Sequence, residues 1–228
     1  MAKKNQEETI VDVQQVYTKS EMFIDRHRKS LAIGVGAIAL ILIAVLAYRY
    51  LIVKPQEDEA AKQSWKAEQY FEMDSLDLAL YGDGLYPGLE NIVEDYSGTK
   101  AASRAHFSMG TIFRDRAEYD LALEHFRQVD AGDDVVGTLA LGNVGDIQIE
   151  LGETQKGAET LERAARKGSK SLSAGFLAPM YFFKAGVAQL ELGNKAKARD
   201  MFKEITENYP KSAQYSDAQK YHASLLDA

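Results

Sequence analysis

The chain of 228 residues contains no cysteine, which excludes disulfide bonds, thiol catalysis and zinc–thiolate centres. It also lacks any stretch with the sustained apolar–polar alternation of a β-strand, and its apolar residues instead recur at helical spacing. Hydrophobic residues make up 46% and charged residues 27% of the chain, a balance typical of globular rather than disordered proteins. These features predict an all-α protein.

Negative charge is concentrated in one part of the sequence. Residues 1–54 carry eight Lys/Arg and five Asp/Glu, a net charge of +3, whereas residues 55–228 carry 19 and 29, a net charge of −10. An acidic domain of this kind repels a phosphate backbone. We therefore expect no nucleic-acid partner.

A long apolar segment lies at the boundary between the two charge regions. Residues 31–53 read LAIGVGAIALILIAVLAYRYLIV, and the first 18 of them carry no charge. As a helix, residues 31–53 span about 34 Å, enough to cross a hydrocarbon core with some tilt. A buried core helix rarely lacks a polar face over such a length, and the apolar run of a signal peptide is usually only about 7–15 residues long. We therefore predict a transmembrane helix over residues 30–54, interrupted at its end by Pro55.

The charges that flank this segment predict its orientation. The sequence RHRK (26–29) precedes it, and the acidic sequence QEDE (56–59) follows it. By the positive-inside rule, residues 1–29 lie in the cytoplasm and residues 55–228 in the periplasm of a bacterial inner membrane, with lipid around the single span. Residues 1–29 also carry apolar side chains near one helical stripe. This pattern fits an amphipathic helix that docks on lipid or on a partner, and a loosely ordered tail is the alternative.

Residues 55–228 contain three copies of one helix–turn–helix pattern. Two of the copies share the sequence ELG, at 150–152 and 191–193, followed by a polar stretch and then by apolar residues at helical spacing. In every copy a glycine of the first helix is followed 12 residues later by a small residue and 16 residues later by a large apolar residue. These triplets are Gly110–Ala122–Phe126, Gly145–Gly157–Leu161 and Gly186–Ala198–Phe202. The small residues let two helices approach closely, and the large residue fills the space behind them.

This spacing resembles the tetratricopeptide repeat, a pair of antiparallel helices of about 34 residues. The resemblance implies an α-solenoid with repeats at about 102–135, 137–170 and 178–212. Half-repeats at 56–100 and 213–227 flank these three, and the second of them is expected to cap the stack.

The copies depart from the repeat pattern in two positions of the first helix. The tryptophan position of the pattern holds His106, Leu141 and Phe182 in the three copies. Its tyrosine position holds Gln148 and Gln189 in the second and third copies.

In the tetratricopeptide family, residues of the first helices line the concave face of the superhelix. The repeat register assigns the following residues to this face: Arg104, Phe107, Arg114, Leu139, Ile149, Met180, Phe183, Val187 and Leu190. Domains that clamp a terminal carboxylate place lysines and asparagines there, so such a clamp is disfavoured. We predict an apolar groove for an unfolded segment or a partner's apolar helix. The alternative is that the capping helix or a neighbouring repeat already covers these residues.

Other candidate sites are weak. The aspartates of DAGDD (130–134) lack the ligand spacing of a calcium loop, and Asp134 is expected to cap the next helix. His106 and His125 are expected to pack within the first repeat. No Lys-Ser pair follows the glycines of YGDGLYPG (81–88), which indicates a turn rather than a phosphate loop. We therefore predict a non-enzymatic protein without a metal or a cofactor.

The whole arrangement resembles the YfgM-type family, which comprises ancillary subunits of the bacterial Sec translocon. The resemblance covers nearly the whole chain. The segments that show it most clearly are DLALYGDG (77–84), YSGTKAA (96–102), LALGNVGDIQIELG (139–152) and APMYFFKAGVAQLELG (178–193). It implies association with Sec translocon subunits and with a membrane-anchored periplasmic prolyl isomerase. It also implies a chaperone-like role toward emerging or unfolded polypeptides. An envelope scaffold for cell division or cell-wall synthesis is the alternative function.

Overall fold

A computed structural model of the chain describes residues 26–226, and these residues contain helices and turns but no β-strand. The predicted all-α fold is therefore confirmed. The chain divides into two compact units between Pro55 and Gln56. Most of the segment 1–29, including the stripe of the predicted amphipathic helix, lies outside the described residues.

The first unit contains a long apolar helix. Helix α1 is described from residue 26 through residue 48, and a π-helical turn follows it at Arg49–Val53. Within the described residues, one helix is long and apolar enough to cross a membrane, with a mean hydropathy of 2.7 over its most apolar stretch. Its apolar side chains are exposed; Ile33, for example, is 73% exposed. A helix of this length and composition fits a membrane span or a signal sequence.

The prediction that Pro55 interrupts the helix is wrong. The backbone stays helical from the π-helical turn into α2 (Lys54–Glu72). Proline lacks an N–H group, and in a regular α-helix its ring clashes with the carbonyl four residues earlier. In the turn before Pro55, the N–H of Lys54 donates to the carbonyl of Arg49, five residues earlier. This wider turn gives the proline ring the room that a regular turn lacks.

The second unit is a stack of helix pairs. In the pairs α5–α6, α7–α8 and α9–α10, a first helix packs against the second helix of the same repeat, and α8 also packs against α9. Helix α4 packs against α5 at one end of this series, and α11 packs against α10 at the other. The helices are α3 (Leu76–Tyr81), α4 (Leu89–Asp95), α5 (Lys100–Asp115), α6 (Tyr119–Gln128), α7 (Val136–Glu150), α8 (Thr154–Gly168), α9 (Ala174–Glu191), α10 (Lys195–Asn208) and α11 (Tyr215–Ser224).

The first helix of every repeat ends in the same kind of turn, in which one residue adopts the left-handed conformation. Its central residue has a positive φ angle, 58° at Ala117, 79° at Gly152 and 74° at Gly193. The next N–H group then donates to a carbonyl five residues earlier, which closes a Schellman motif. These bonds run from Glu118 to Phe113, from Glu153 to Gln148 and from Asn194 to Gln189, each with an N···O distance of 2.8 Å. The repeated ELG sequence is therefore the signature of this turn.

The apolar helical spacing continues from α2 up to the loop YGDGLYPG (81–88), but the structure has two helices there, α2 and α3. Asp74 adopts the same left-handed conformation, with a φ of 57°, and the N–H of Ser75 donates to the carbonyl of Tyr70 at 2.9 Å. Aspartate is one of the few residues that tolerate this conformation, and it ends α2 before α3 begins. The apolar spacing continues through the turn, so periodicity alone does not reveal it. Most of α2 and all of α3 and α4 lie within the predicted half-repeat 56–100.

The two helices of each repeat meet at the glycine of the first helix. A Cβ atom built on each glycine would lie only 2.8 Å from the large side chain that follows 16 residues later. These contacts join Gly110 to Phe126, Gly145 to Leu161 and Gly186 to Phe202. Because real Cβ atoms do not approach other atoms so closely, only glycine fits at these positions.

The small residue of each second helix lies on the same interface. A Cβ atom on Gly157 would lie 2.7 Å from the carbonyl oxygen of Gly145, and Ala122 and Ala198 are fully buried. The large residue, rather than the small one, is nearest to the glycine of the first helix. The small residues of the two helices, which were expected to bring the helices together, thus form only part of the contact between them.

Ala117→Gly and Gly193→Ala are expected to change stability in opposite directions. A left-handed conformation costs an L-residue about 1–2 kcal/mol, which exceeds the opposing effect of about 0.4–1 kcal/mol on the unfolded chain. We expect Ala117→Gly to stabilise and Gly193→Ala to destabilise the protein by about 0.5–1 kcal/mol each. No atom lies within 4 Å of a Cβ atom on Gly193, so this substitution changes only backbone conformation. Urea unfolding of the full chain, followed by circular dichroism, tests the pair, and midpoint shifts of the same sign would contradict it.

Gly186→Leu is expected to destabilise the protein by about 1–3 kcal/mol or more, because the new side chain overpacks the contact with Phe202. Phe202 is fully buried and has no room to move. Gly175→Leu is the matched control in the same helix, since no atom lies within 4 Å of a Cβ atom there. Thermal melts of the two variants should differ, and equal midpoints would show that the repeat register is wrong.

Candidate functional site

The predicted groove residues lie on the first helices α5, α7 and α9. We use the term first-helix face for the surface that they share with the polar side chains between them. Arg104 is exposed and Arg114 is half-buried. The apolar members are all half-buried: Phe107, Leu139, Ile149, Met180, Phe183, Val187 and Leu190. These side chains pack against the two hydrophobic cores and still keep part of their surface in solvent.

Polar side chains connect each first helix to the next one. Arg104 of α5 donates to the carboxylate of Glu68 on α2, with an Nη2–Oε1 distance of 2.9 Å. Arg114 of α5 donates to the side-chain oxygen of Asn143 on α7. The series continues from α7 to α9, where Lys184 Nζ lies 2.6 Å from Asp146 Oδ2. We call this series the polar ladder: Glu68–Arg104, Arg114–Asn143 and Asp146–Lys184.

The ladder residues Glu68, Asn143 and Lys184 were missed by the sequence analysis. Asn143 and Lys184 occupy the same repeat position, two residues before Gly145 and Gly186. The sequence did contain a signal for these residues, namely a polar side chain at the same position of two successive repeats. The partner of each side chain lies in a different repeat, and repeat spacing does not identify it.

Aromatic side chains occupy the same face in the first and third repeats. The two edge-to-face contacts are Phe107–Phe126, with ring centroids 5.8 Å apart, and Phe183–Phe202, with centroids 5.6 Å apart. The second repeat has Gly142 at the corresponding position. Tyr181 of the third repeat fills this space, since a Cβ atom on Gly142 would lie 2.1 Å from its ring. Burial raises the pKa of the Tyr181 hydroxyl, and the nearby carboxylate of Asp146 adds to this effect.

Helix α11 contacts the first-helix face at its C-terminal end. The ring of Tyr221 stacks on Phe202 at a centroid distance of 4.9 Å and meets the edge of Phe183 at 5.8 Å. Phe183 therefore also takes part in the packing of α11 on the third repeat. An aspartate at this position would be expected to disturb that packing as well as any partner contact.

A cavity of about 470 Å³ opens beside the polar ladder. It is lined by Arg114, Tyr119, Asp146, Ile147, Ile149, Glu150 and Lys184. Charged side chains thus lie among the apolar groove residues. A partner on this face would meet both kinds of surface, rather than the mainly apolar one that the sequence suggested.

Two of the weaker candidate sites form local turns. Asp133 accepts hydrogen bonds from the N–H groups of Val135 and Val136, at 2.8 and 2.7 Å, where α7 begins. The prediction that Asp134 caps this helix is therefore wrong, because the side chain one residue earlier reaches the free N–H groups. Among the residues described, 26–226, no group of three metal-ligating side chains occurs.

The loop YGDGLYPG is organised around the carboxylate of Asp83. This carboxylate accepts hydrogen bonds from the N–H groups of Leu85 and Tyr86, at 2.9 and 2.7 Å, and from the hydroxyl of Tyr70 at 2.7 Å. The N–H of Tyr86, then the Tyr70 hydroxyl and the N–H of Leu85, lower the pKa of Asp83 to about 2. The N–H groups that would bind a phosphate are therefore already bonded within the loop.

Residues 181–212, which contain most of α9 and all of α10, match a family model of the tetratricopeptide repeat. No curated protein matches the chain. The matched repeat and the helix pairs before it form a tetratricopeptide-like helical region. Domains of this kind typically bind other proteins and are not enzymes, and the comparisons indicate no enzyme family.

His106 and His125 pack against each other across the first repeat. Their Nδ1 atoms are 3.0 Å apart, and the ring of Phe113 stacks on His125 at a centroid distance of 5.3 Å. At this distance one ring donates and the other accepts, which requires at least one neutral imidazole. Burial lowers the pKa of both side chains, and the charge of His125 lowers the pKa of His106 further.

The histidine pair is expected to make the protein less stable at mildly acidic pH. Below an ordinary pKa of about 6.5 the unfolded histidines take up protons, whereas the folded ones resist protonation. The unfolded state then binds more protons, so stability is lost as the pH falls from about 7.5 to about 5.5. We expect His106→Gln to reduce the difference in melting temperature between these two pH values.

Gln128→Ala, which changes an exposed side chain of the same repeat and no titratable group, is the matched control. It should leave the pH dependence of the melting temperature as it is in the unsubstituted chain. An equal effect of the two substitutions would contradict the role of the pair.

Proposed function

We propose that this protein is a non-enzymatic accessory protein of the Sec translocon in a bacterial inner membrane. In this proposal, α1 crosses the membrane, and the tetratricopeptide-like unit lies in the periplasm. There it binds partner proteins or emerging polypeptides in a chaperone-like role. The observation that carries the proposal is the first-helix face, where half-buried apolar side chains lie between charged ones on a stack of repeats.

The chemistry of this face suits segments that are only partly folded. Half-buried aromatic and aliphatic side chains such as Phe107, Leu139 and Met180 offer apolar contacts without forming one large exposed patch. The ladder charges beside them offer hydrogen bonds to a peptide backbone or to polar side chains. A surface of this composition favours many weak contacts over one specific pocket.

The location in the membrane is supported by the apolar surface of α1 and by the charges before it. Arg26, Arg28 and Lys29 lie on the side that the positive-inside rule assigns to the cytoplasm. The assignment to the translocon, with a membrane-anchored prolyl isomerase as a further partner, rests on the resemblance to the YfgM-type family.

Photo-crosslinking in living cells tests the function. A photoreactive amino acid at Leu139 or Met180 should capture Sec translocon subunits and emerging polypeptides, identified by mass spectrometry. The same amino acid at Leu172, which is fully exposed in the loop before α9, is the control for random collisions. Equal capture profiles from Leu139 and Leu172 would contradict binding at the first-helix face.

A second arm of this experiment separates the translocon from a general envelope scaffold. Residues 1–54 are replaced by an unrelated single-span anchor of the same orientation. A translocon subunit should lose its crosslinks to the translocon, because its own span and cytoplasmic flank are expected to contribute contacts. Unchanged function and crosslinks from the foreign anchor would instead indicate the scaffold.

A further inference from the structure

A second cavity, of about 530 Å³, lies between α6, α7 and α8 and is separate from the first-helix face. Its floor is apolar and is formed by Phe126, Val129, Ala140, Leu141 and Val144. Polar and charged side chains surround this floor: Arg127, Gln148, Lys156, Glu159, Thr160, Arg163 and Lys167. The volume is in the range of about 300–1,000 Å³ that is typical of ligand sites.

At one position of the cavity lining, the second repeat has a smaller side chain than the third repeat has at the equivalent position. Leu141 occupies the tryptophan position of the repeat pattern and is only half-buried. In the third repeat the same position holds Phe182, which is 2% exposed and part of the core between α9 and its neighbours. Helix α6 is also short, with 10 residues against 15 in α8, so it covers less of α7.

A buried hydrogen-bond acceptor lies at one end of this cavity. Gln148 is 5% exposed, and its Oε1 atom has no hydrogen-bond partner in the described part of the chain. In the third repeat the equivalent Gln189 accepts a hydrogen bond from Nδ2 of Asn194 at 2.8 Å. The second repeat has Glu153 in place of that asparagine, and a carboxylate has no hydrogen to donate. The acceptor of Gln148 therefore needs an N–H or O–H donor from elsewhere.

The charges around the cavity are mainly positive in a protein whose net charge is −7. Lys156 pairs with Glu153, and Lys167 donates to the backbone carbonyl of Asp133. Arg127 of α6 and Arg163 of α8 are exposed residues that line the cavity, and they have neither an ion pair nor a hydrogen bond within residues 26–226. Two arginines without partners beside an apolar floor favour a ligand with carboxylates.

We propose that this cavity binds an extended peptide segment in which acidic and apolar side chains alternate. The apolar side chains would lie on Leu141 and Val144, the carboxylates would pair with Arg127 and Arg163, and a peptide N–H would donate to Gln148 Oε1. The lining residues 137–148 of α7 span about 16 Å along the helix, the length of about five extended residues. The cations are distributed along this length, which favours several acidic side chains over a single terminal carboxylate.

Binding of a synthetic peptide to the full chain in neutral detergent tests this site. The probe is a fluorescent peptide of alternating Glu and Leu with an amidated C-terminus, and its anisotropy is measured against protein concentration. We expect saturable binding that weakens as the salt concentration rises. A peptide of alternating Lys and Leu and one of alternating Glu and Ser should bind far more weakly. Failure of the Glu–Leu peptide to bind, or equal binding of the Lys–Leu peptide, would overturn the proposal.

Two variants assign the binding to the cavity. Arg127→Ala together with Arg163→Ala removes the unpaired charges and should weaken binding about tenfold or more. Lys195→Ala together with Lys197→Ala, two exposed lysines on α10, is the matched control and should change little. Leu141→Phe adds bulk where the apolar side chains of the peptide would lie, and it should weaken binding without loss of the folded state. Unchanged affinity in the arginine variant would overturn the proposal even if Leu141→Phe failed to fold.

Gln148→Leu distinguishes a role in binding from a role in folding. It removes a buried acceptor without a partner, so the melting temperature should stay the same or rise. Peptide affinity should fall severalfold because the peptide N–H loses its acceptor. A lower melting temperature with unchanged affinity would show that Gln148 serves the fold. Crosslinks from Leu139 and Met180 should persist in the Leu141→Phe variant, so failure of this site and failure of the proposed function remain distinguishable.

Discussion

The close approach of two helices at a glycine is the contact on which each repeat depends. At Gly110, Gly145 and Gly186 there is no room for even one added carbon, because a large side chain of the second helix lies against the backbone. This contact sets the distance between the two helices and therefore the position of every other side chain between them. The left-handed turn then joins the helices with the fewest residues. Together they define a unit that is stacked again in the next repeat.

The repeats differ in how they fill the positions around this shared contact. Where the first and third repeats place phenylalanine, the second has Gly142, and Tyr181 from the next helix fills the volume. At the tryptophan position the second repeat has Leu141, which lines the cavity of about 530 Å³. A core is packed to a nearly constant density, so a small residue at one position is matched by a large side chain from a neighbouring helix, as Tyr181 matches Gly142.

The polar ladder orders the surface more than it stabilises the protein. Its charged pairs are partly exposed, and pairs of this kind contribute only about 0–1 kcal/mol each. Their consequence is geometric, since each pair links one first helix to the next and keeps charged groups among the apolar ones. The first-helix face is therefore divided into small apolar areas. A surface of this kind stays soluble while it offers apolar contacts to a partner.

The sequence by itself determined the features that depend on local spacing. The glycine and large-residue intervals predicted the helix pairs, the ELG sequence marked two of the turns, and residues 31–53 predicted a long apolar helix. These signals are local because helix periodicity and turn conformation depend on neighbouring residues. The turns at Asp74 and Ala117 were not predicted, because these two residues adopt the left-handed conformation without being glycine. The sequence rarely reveals this conformation for residues other than glycine.

Only the tertiary structure decided which side chains meet across helices. It placed Tyr221 on Phe183, paired Asp146 with Lys184 and left Gln148 without a donor, although Gln189 in the same repeat position has one. It also carried the helix through Pro55 by means of a π-helical turn. The side-chain contacts between helices share one physical reason. Contacts between helices depend on volumes and distances that residues far apart in the chain set together, and a repeat pattern records only the positions that its copies share.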